Sequence, residues 1–231
     1  MKARGGDFMK AGTVARILSI TLLTTLVSQG GEYLHPKFKA KELHLKTLYL
    51  MPPGVEIAKH GVRGQEGMGK EAEEASAAYA GAVAAGLTTA GFAAVSPFTE
   101  EALKGQTELK YAVADVQRKF DQLAPRLYKK KKDVRKGRFT LGDTVATLNS
   151  AGKADALVFI RAEGQKNTKG KGLMAGGLLG MALSGAVIYK SKVAVVDART
   201  GDIVFFGDYF GRGIPKDDKF ADSFRKMTPR K

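Results

Sequence analysis

Two apolar segments joined by a short polar turn constrain the fold of this chain more than any other feature. The segments lie at 188–196 and 203–206, and the turn between them contains Gly201. Glycine reaches the positive φ angles that tight hairpin turns require. A third segment, at 154–163, has the continuous apolar character of a central strand. Together these segments predict the centre of a β-sheet.

The rest of the chain alternates helical patterns with short strands. A strand at 45–51 is expected to end at Pro52, before a glycine-rich loop at 54–69. Apolar residues recur at helical spacing over 107–128, where Pro125 is expected to kink or end the helix. Further helices are predicted at 70–90, 140–150 and 217–227, and a short strand at 91–97.

The predicted helix at 70–90 is built largely of small residues. On it, Ala77, Gly81, Ala84 and Ala85 would form a flat face that a sheet or another helix can approach closely. With the strands around it, this pattern predicts an α+β fold, a mixed sheet of about five strands with two or three packed helices.

The amino-terminal residues have the pattern of a secretory signal peptide. Four basic residues precede an apolar stretch at 17–27. That stretch is shorter than the roughly 20 residues of a membrane-spanning helix. Ser28 and Gly30 are small residues placed for cleavage after Gly30. We expect a signal peptide at 1–30 and a protein that is periplasmic or secreted, with or without membrane association. An uncleaved anchor and a buried amino-terminal helix are the alternatives.

After the signal peptide, the sequence predicts a polar lead-in at 31–44 and one α+β domain at 45–231. The chain has no cysteine, which excludes disulfides, zinc–thiolate sites, thiol catalysis and a lipidated cysteine, so it is not a lipoprotein. It has 38 Lys and Arg against 23 Asp and Glu, a formal net charge of +15. Such a charge favours association with lipid headgroups, nucleic acid or acidic polymers.

The strongest local charge lies at 129–138, where seven basic residues accompany one acid. The run predicts an anion-binding patch for headgroups or cell-wall polymers; a solvated loop is the alternative. Only Tyr128 and Phe139 flank it, so a base-stacking platform, and with it nucleic acid, is disfavoured. The predicted anion-binding residues are Lys129, Lys130, Lys131, Lys132, Arg135, Lys136 and Arg138.

An apolar, glycine-rich insert at 172–187 separates two of the predicted strands. It carries no charge, and Gly172, Gly176, Gly180 and Ser184 fall four residues apart. On a helix this spacing would line one side with small residues, as in associating membrane helices. The insert therefore predicts membrane insertion or self-association, and a glycine-rich loop over the sheet is the alternative.

Catalytic patterns are scarce in this sequence. His35, His44 and His60 lack the spacing of a metal site. The glycine-rich stretch at 61–69 precedes a helix, as a phosphate loop does, but lacks the Gly-Lys-Ser/Thr ending. We predict no catalytic residue, no metal and no cofactor, and thus a protein that is not an enzyme.

Three stretches resemble a group of bacterial envelope proteins. They are the small-residue helix with its Gly-Phe-x-x-Val strand at 77–95, the Gly-Lys-Ala-Asp-Ala-Leu-Val segment within 148–160, and the Val-Asp-Ala-Arg-Thr-Gly-Asp-Ile-Val hairpin within 193–206. Together they resemble the group that includes the amino-terminal domain of TolB and the curli-secretion lipoprotein CsgG. This chain departs from many members in having no cysteine to lipidate.

The resemblance implies a periplasmic domain that docks on other envelope components or builds oligomers, without an active site. We therefore expect an exported envelope protein with a non-catalytic docking or assembly role. Its partner would be an envelope protein, its own copies in a homo-oligomer, or an anionic membrane surface. The alternative is a soluble basic domain that binds an anionic polymer or membrane surface through 129–138. Salt separates the two, because polymer binding weakens steeply as salt rises.

Overall fold

The α+β class predicted from the sequence is confirmed. The computed structural model describes residues 31–40, 42–61, 64–149, 153–167 and 187–228, and these form one mixed sheet with helices on both faces. The predicted signal peptide lies outside the described residues, as does the predicted insert except for Val187.

The sheet has eight strands within the described residues, where the sequence predicts about five. Their order is β1-β8-β7-β6-β2-β5. In addition, β3 pairs with β6, and β4 pairs with β3. β2 pairs in parallel with β5 and β6, as β3 does with β6, and the other pairs are antiparallel. The strands are β1 Glu32–Leu34, β2 Thr47–Leu50, β3 Gly54–Gly61, β4 Gly64–Gly67, β5 Ala93–Val95, β6 Ala156–Asn167, β7 Val187–Asp197 and β8 Ile203–Arg212.

The additional strands come from segments interpreted as a lead-in and a loop. Residues 31–44 contain β1 and a short helix, and residues 54–69 contain the β3–β4 hairpin. The expectation of a loop at 54–69 was wrong, because strand pairing with β6 and β4 outweighs the glycine content. The helices are α1 Pro36–Lys39, α2 Gly69–Thr89, α3 Thr107–Lys129 and α4 Asp217–Phe224, with 3₁₀ helices at Lys131–Lys136, Gly142–Asn149 and Arg225–Met227.

The Pro52–Pro53 pair is a bulge between two strands that lie in line along β6. Leu50 is the partner of Val158, and Gly54 is the partner of Arg161, so the β2–β3 side has one extra residue. Proline is compatible with this position because a bulge does not require its missing amide hydrogen. At the predicted strand end, the register against β6 therefore shifts by one residue, and the chain then continues along β6 as β3.

The sheet buries both of its faces. On one face α2 and α4 cover a core that includes Leu48, Val158 and Phe205. On the other, α3 and two 3₁₀ helices cover a core that includes Phe120, Phe159 and Phe206. We call these the α2 face and the α3 face.

The close approach predicted for the small-residue helix occurs on a different side of it. Ala77, Gly81 and Ala85 are exposed, whereas Gly86 is buried. A Cβ added at Gly86 would lie 2.6 Å from the Cβ of Phe220 and 3.0 Å from backbone atoms of α4. The contact surface of α2 thus follows its buried stripe of larger residues, with Gly86 at the crossing point.

The helix α3 does not end at Pro125 but continues to Lys129. Proline removes one backbone hydrogen bond, and its side chain here is exposed. Ala124 and Leu127 are buried against the sheet on either side of it. Tertiary packing therefore carries the helix past the proline and into the basic run.

Candidate anion-binding site

The predicted anion-binding run, residues 129–138, forms an ordered turn that we call the basic turn. It consists of the last residue of α3, the capping residue Lys130, the 3₁₀ helix Lys131–Lys136 and the two residues that follow. Val134 is fully buried in the core of the α3 face. This apolar anchor fixes the backbone, while the charged side chains on either side of it project outward.

Contact with His35 also holds the basic turn in place. Gly137 adopts a left-handed conformation with φ of 64°, and a Cβ there would lie 2.6 Å from Nε2 of His35. The Nδ1 atom of His35 accepts a hydrogen bond from the amide of Lys37 at 3.2 Å, and the His35 amide donates to the carbonyl of Val204 at 2.9 Å. His35 thus joins three elements: its buried imidazole contacts the basic turn and α1, and its backbone amide bonds to the edge of the sheet.

Four of the seven basic residues have partners within the fold. Lys131 forms an ion pair with Asp208, which raises the pKa of the Lys131 ammonium group through their hydrogen bond. Asp133 lies 3.4 Å from Lys136 and 3.8 Å from Arg138. The fourth, Arg135, lies 5.1 Å from the centre of the Tyr33 ring.

The other three lysines of the basic turn, Lys129, Lys130 and Lys132, are exposed and have no ion-pair partner among the described residues. Together with Lys131, Asp133, Lys136 and Arg138, they line a shallow open concavity of about 560 Å³. A lysine ammonium group is a compact charge that binds phosphate or carboxylate without a required plane. The concavity can therefore accept an anionic group from solution.

The aromatic rings near the basic turn are occupied by cations of the chain itself. Arg135 and Lys131 lie over Tyr33, Lys192 lies over Tyr128, and Arg126 lies over Phe139. A nucleobase would have to displace these cations in order to stack. The arrangement is suited to anionic groups and not to bases.

The basic surface extends onto residues that the sequence analysis did not include in the patch. Lys192 lies 4.5 Å from the ring centre of Tyr128, and burial raises the pKa of that phenol to about 12. Lys190 lies two residues away on the same face of β7 and is exposed. Period-two alternation in the strand at 188–196 is the signal that could have placed both lysines on one face.

The four residues of the predicted self-association insert, Gly172, Gly176, Gly180 and Ser184, lie outside the described residues. The strands on either side of the insert are antiparallel neighbours, and Lys166 is the partner of Val187. The chain therefore leaves and rejoins the sheet at one position.

Two acidic residues beside the central strands, Asp155 and Asp197, have structural partners. Asp155 accepts hydrogen bonds from the amides of Lys46 and Thr47 at 2.8 and 2.9 Å, which fixes the start of β2. Asp197 accepts from the amides of Arg199 and Thr200 in the hairpin turn. Across the described ranges, no three His, Asp or Glu side chains are grouped closely enough to hold a metal ion. None of the helices in this part of the chain combines the length and apolarity needed to cross a bilayer.

The position of His35 predicts a pH-dependent stability. Burial lowers the pKa of its imidazole, with Lys37 acting in the same direction and Asp202, Asp197 and Glu42 opposing. The folded state therefore binds the proton less well than the unfolded state. This contribution is complete above about pH 6.5, the unfolded value, and is lost as the pH falls towards the lowered pKa. Urea denaturation between about pH 5 and pH 8 measures this loss in the free energy of unfolding.

His35→Asn is the matched control, because asparagine can still accept the Lys37 amide hydrogen bond but does not titrate. The variant should show a smaller decrease in stability between about pH 6.5 and pH 5. The same pH slope in both proteins would assign the effect to other groups.

Comparisons with known proteins add little to this geometry. No protein-family model matches the chain, and no curated protein is similar to it at a significant level. Among solved structures, two PelC dodecamers from Paraburkholderia phytofirmans, one of them a point variant, match at a TM-score of 0.37. The identities are 9% and 11%, over 88% of this chain and 99% of each PelC chain. Likeness at this level transfers neither assembly nor function.

Proposed function

We propose that this chain is a non-catalytic domain of the bacterial cell envelope that docks on an anionic membrane surface through its basic turn. The observation that carries the proposal is the division of charge in the turn. Four cations are held by the fold, and Lys129, Lys130 and Lys132 remain exposed around one concavity. Each lysine close to an anionic membrane contributes about 1 kcal/mol to binding.

The fixed backbone of the turn supports this function. Val134 is buried, and Gly137 lies against His35, so the lysines project from a surface that is already ordered. Binding to such a surface costs less conformational entropy than binding by a disordered basic tail. A preorganised turn thus retains more of its electrostatic attraction as net affinity.

The envelope location rests on the predicted signal peptide and on the resemblance to envelope proteins. Cleavage after Gly30 would leave every described strand and helix intact, since β1 begins at Glu32. Recovery of the native chain from the periplasm with Gly31 at its amino terminus is the corresponding test. A full-length chain in the cytoplasm would contradict this part of the proposal.

Replacing Lys129, Lys130 and Lys132 together by glutamine should weaken binding to phosphatidylglycerol vesicles roughly 100-fold, since three contributions of about 1 kcal/mol are removed. Co-sedimentation with vesicles at low salt measures the partition coefficient. Binding of the unaltered chain should also fall as salt is raised, because the contacts are between exposed charges.

Lys70, Lys104 and Lys110 provide a matched control, since all three are exposed and lie outside the basic turn. Their joint replacement by glutamine changes the net charge by the same amount and should alter binding by less than about threefold. Equal losses of vesicle binding in the two triple variants would show that the net charge of the chain alone attracts it to the vesicles. Binding to a soluble anionic polymer but not to vesicles would contradict membrane docking.

A further inference from the structure

The outer edge of β8 is covered by β1 over only part of its length. β1 pairs with Phe205, Phe206 and Gly207, whereas β8 continues to Arg212. The amide of Asp208 donates to the carbonyl of Gly31 at 3.0 Å, and this is the last bond on that side among the described residues. Beyond it, the described chain provides no neighbouring strand.

The hydrogen-bond pattern shows which backbone groups are open. The carbonyl of Val204 and the amide of Asp208 bond to the β1 side, while the amide of Gly213 bonds to β7. Because successive residues of a strand alternate in direction, the amides and carbonyls of Phe210 and Arg212 point away from β7. They have no backbone partner in the described part of the chain. Such an edge is a template for an added strand.

The side chains beside this open edge are apolar and basic. Phe210 and Arg212 lie on the α3 face, where both are exposed among the described residues, and Phe210 is 46% exposed. The neighbours of these residues on β7 are Lys190 and Ile188. Neither Arg212 nor Lys190 forms an ion pair with another described residue. Phe210 is therefore an exposed ring between two cations, Arg212 and Lys190, and the nearest acid in the strand pairing is Glu163 opposite Lys190.

We propose that the edge of β8 from Tyr209 to Arg212 binds an extended acidic segment of a partner protein, which adds to the sheet in line with β1. Backbone hydrogen bonds to Phe210 and Arg212 hold the segment. Its carboxylates lie near Arg212 and Lys190, and an apolar side chain covers the Phe210 ring.

A second copy of the chain fits this edge less well. It would place a second Arg212 and Lys190 against the first pair, in a protein with a net charge of +15. The open edge is also short, so two copies would bury too little surface to offset that repulsion. An acidic partner gains from the same charges that a second copy would oppose. The site is separate from the lysines of the proposed membrane contact.

The test uses the chain labelled with ¹⁵N and the synthetic peptide Glu-Glu-Val-Val-Glu-Glu-Val, in which Glu and Val alternate along each face of the extended strand. Titration should shift the amide signals of Phe210 and Arg212 and slow their hydrogen exchange. Arg212→Pro removes an outward amide and a charge at an edge where proline is tolerated, and should weaken binding at least tenfold. Arg212→Gln removes only the charge and should weaken binding about threefold.

Unchanged signals elsewhere in the spectrum show that each variant is folded. Peptide binding should be retained when Lys129, Lys130 and Lys132 are replaced together by glutamine. Strand addition at β8 and membrane docking are therefore tested independently, and either can fail without the other. Equal affinity of Arg212→Pro and the unaltered chain would overturn the proposal. So would equal binding of the same peptide with Lys in place of every Glu, or signal shifts confined to the basic turn. Protection of the Phe210 and Arg212 amides without peptide would show that the chain itself or a second copy covers the edge.

Discussion

Gly201→Ala should lower the free energy of unfolding by about 3 kcal/mol, from backbone strain and steric overlap together. Gly201 lies in the β7–β8 turn with φ of 72°. A Cβ there would overlap the carbonyl oxygen of Gly142 and lie 2.7 Å from the Gly142 amide nitrogen. Both are backbone atoms, which cannot rotate away as a side chain can. The carbonyl of Gly201 also accepts a hydrogen bond from Leu141 at 2.8 Å, so a shift would break this contact.

Gly213→Ala separates the two causes. Gly213 has φ of 73°, but no heavy atom lies within 4 Å of the position of an added Cβ. The free energy of unfolding of this variant should fall only by the cost of the left-handed conformation, about 1 kcal/mol. Urea denaturation of both variants gives the comparison. Equal losses would show that the overlap with Gly142 is relieved at no cost.

Phe159→Ala should produce the largest loss, about 3 to 5 kcal/mol in the free energy of unfolding. Phe159 is fully buried in β6, and its ring stacks on that of Phe120 in α3 with centroids 4.3 Å apart. Removing the ring leaves a cavity between the sheet and the helix. Arg161, which lies 5.6 Å from the Phe120 ring centre, would lose part of its support as well.

Tyr111→Ala is the control for loss of an aromatic side chain from α3. Tyr111 is 72% exposed, and its removal should change the free energy of unfolding by less than about 0.5 kcal/mol. Chemical denaturation monitored by circular dichroism measures both variants. A loss below about 1 kcal/mol for Phe159→Ala would mean that the surrounding core collapses to fill the space.

Local pattern predicted the elements whose hydrophobic period is clear. The central strands at 154–163 and 188–196, the hairpin that follows, and the helix at 107–128 are all present, because each buries a continuous apolar surface. The strand β3 was missed, although Val55 and Ile57 alternate with polar residues. The adjacent prolines and glycines indicated a loop, and its pairing with β6 involves residues more than 100 positions away.

The candidate site was predictable in its position but not in its charge distribution. The run of lysines is evident in the sequence, but which of them are free depends on distant residues. Asp208 and Lys131 are 77 positions apart in the sequence. Tyr33, which also contacts Lys131, belongs to β1 and lies far from it in the sequence. The partial covering of β8 by β1 likewise follows from tertiary pairing, and no local pattern near Phe210 indicates it.

The bulge at Pro52–Pro53 sets the phase of the strand that follows it. Leu48 and Leu50 of β2 and Ile57 of β3 all contact the core of the α2 face. Ile57 does so because one additional residue lies between β2 and β3. A change of length by one residue there would exchange inward and outward positions throughout β3. This junction should therefore accept many substitutions but no single-residue insertion or deletion. The number of residues in it, more than their identity, determines which side of β3 is apolar.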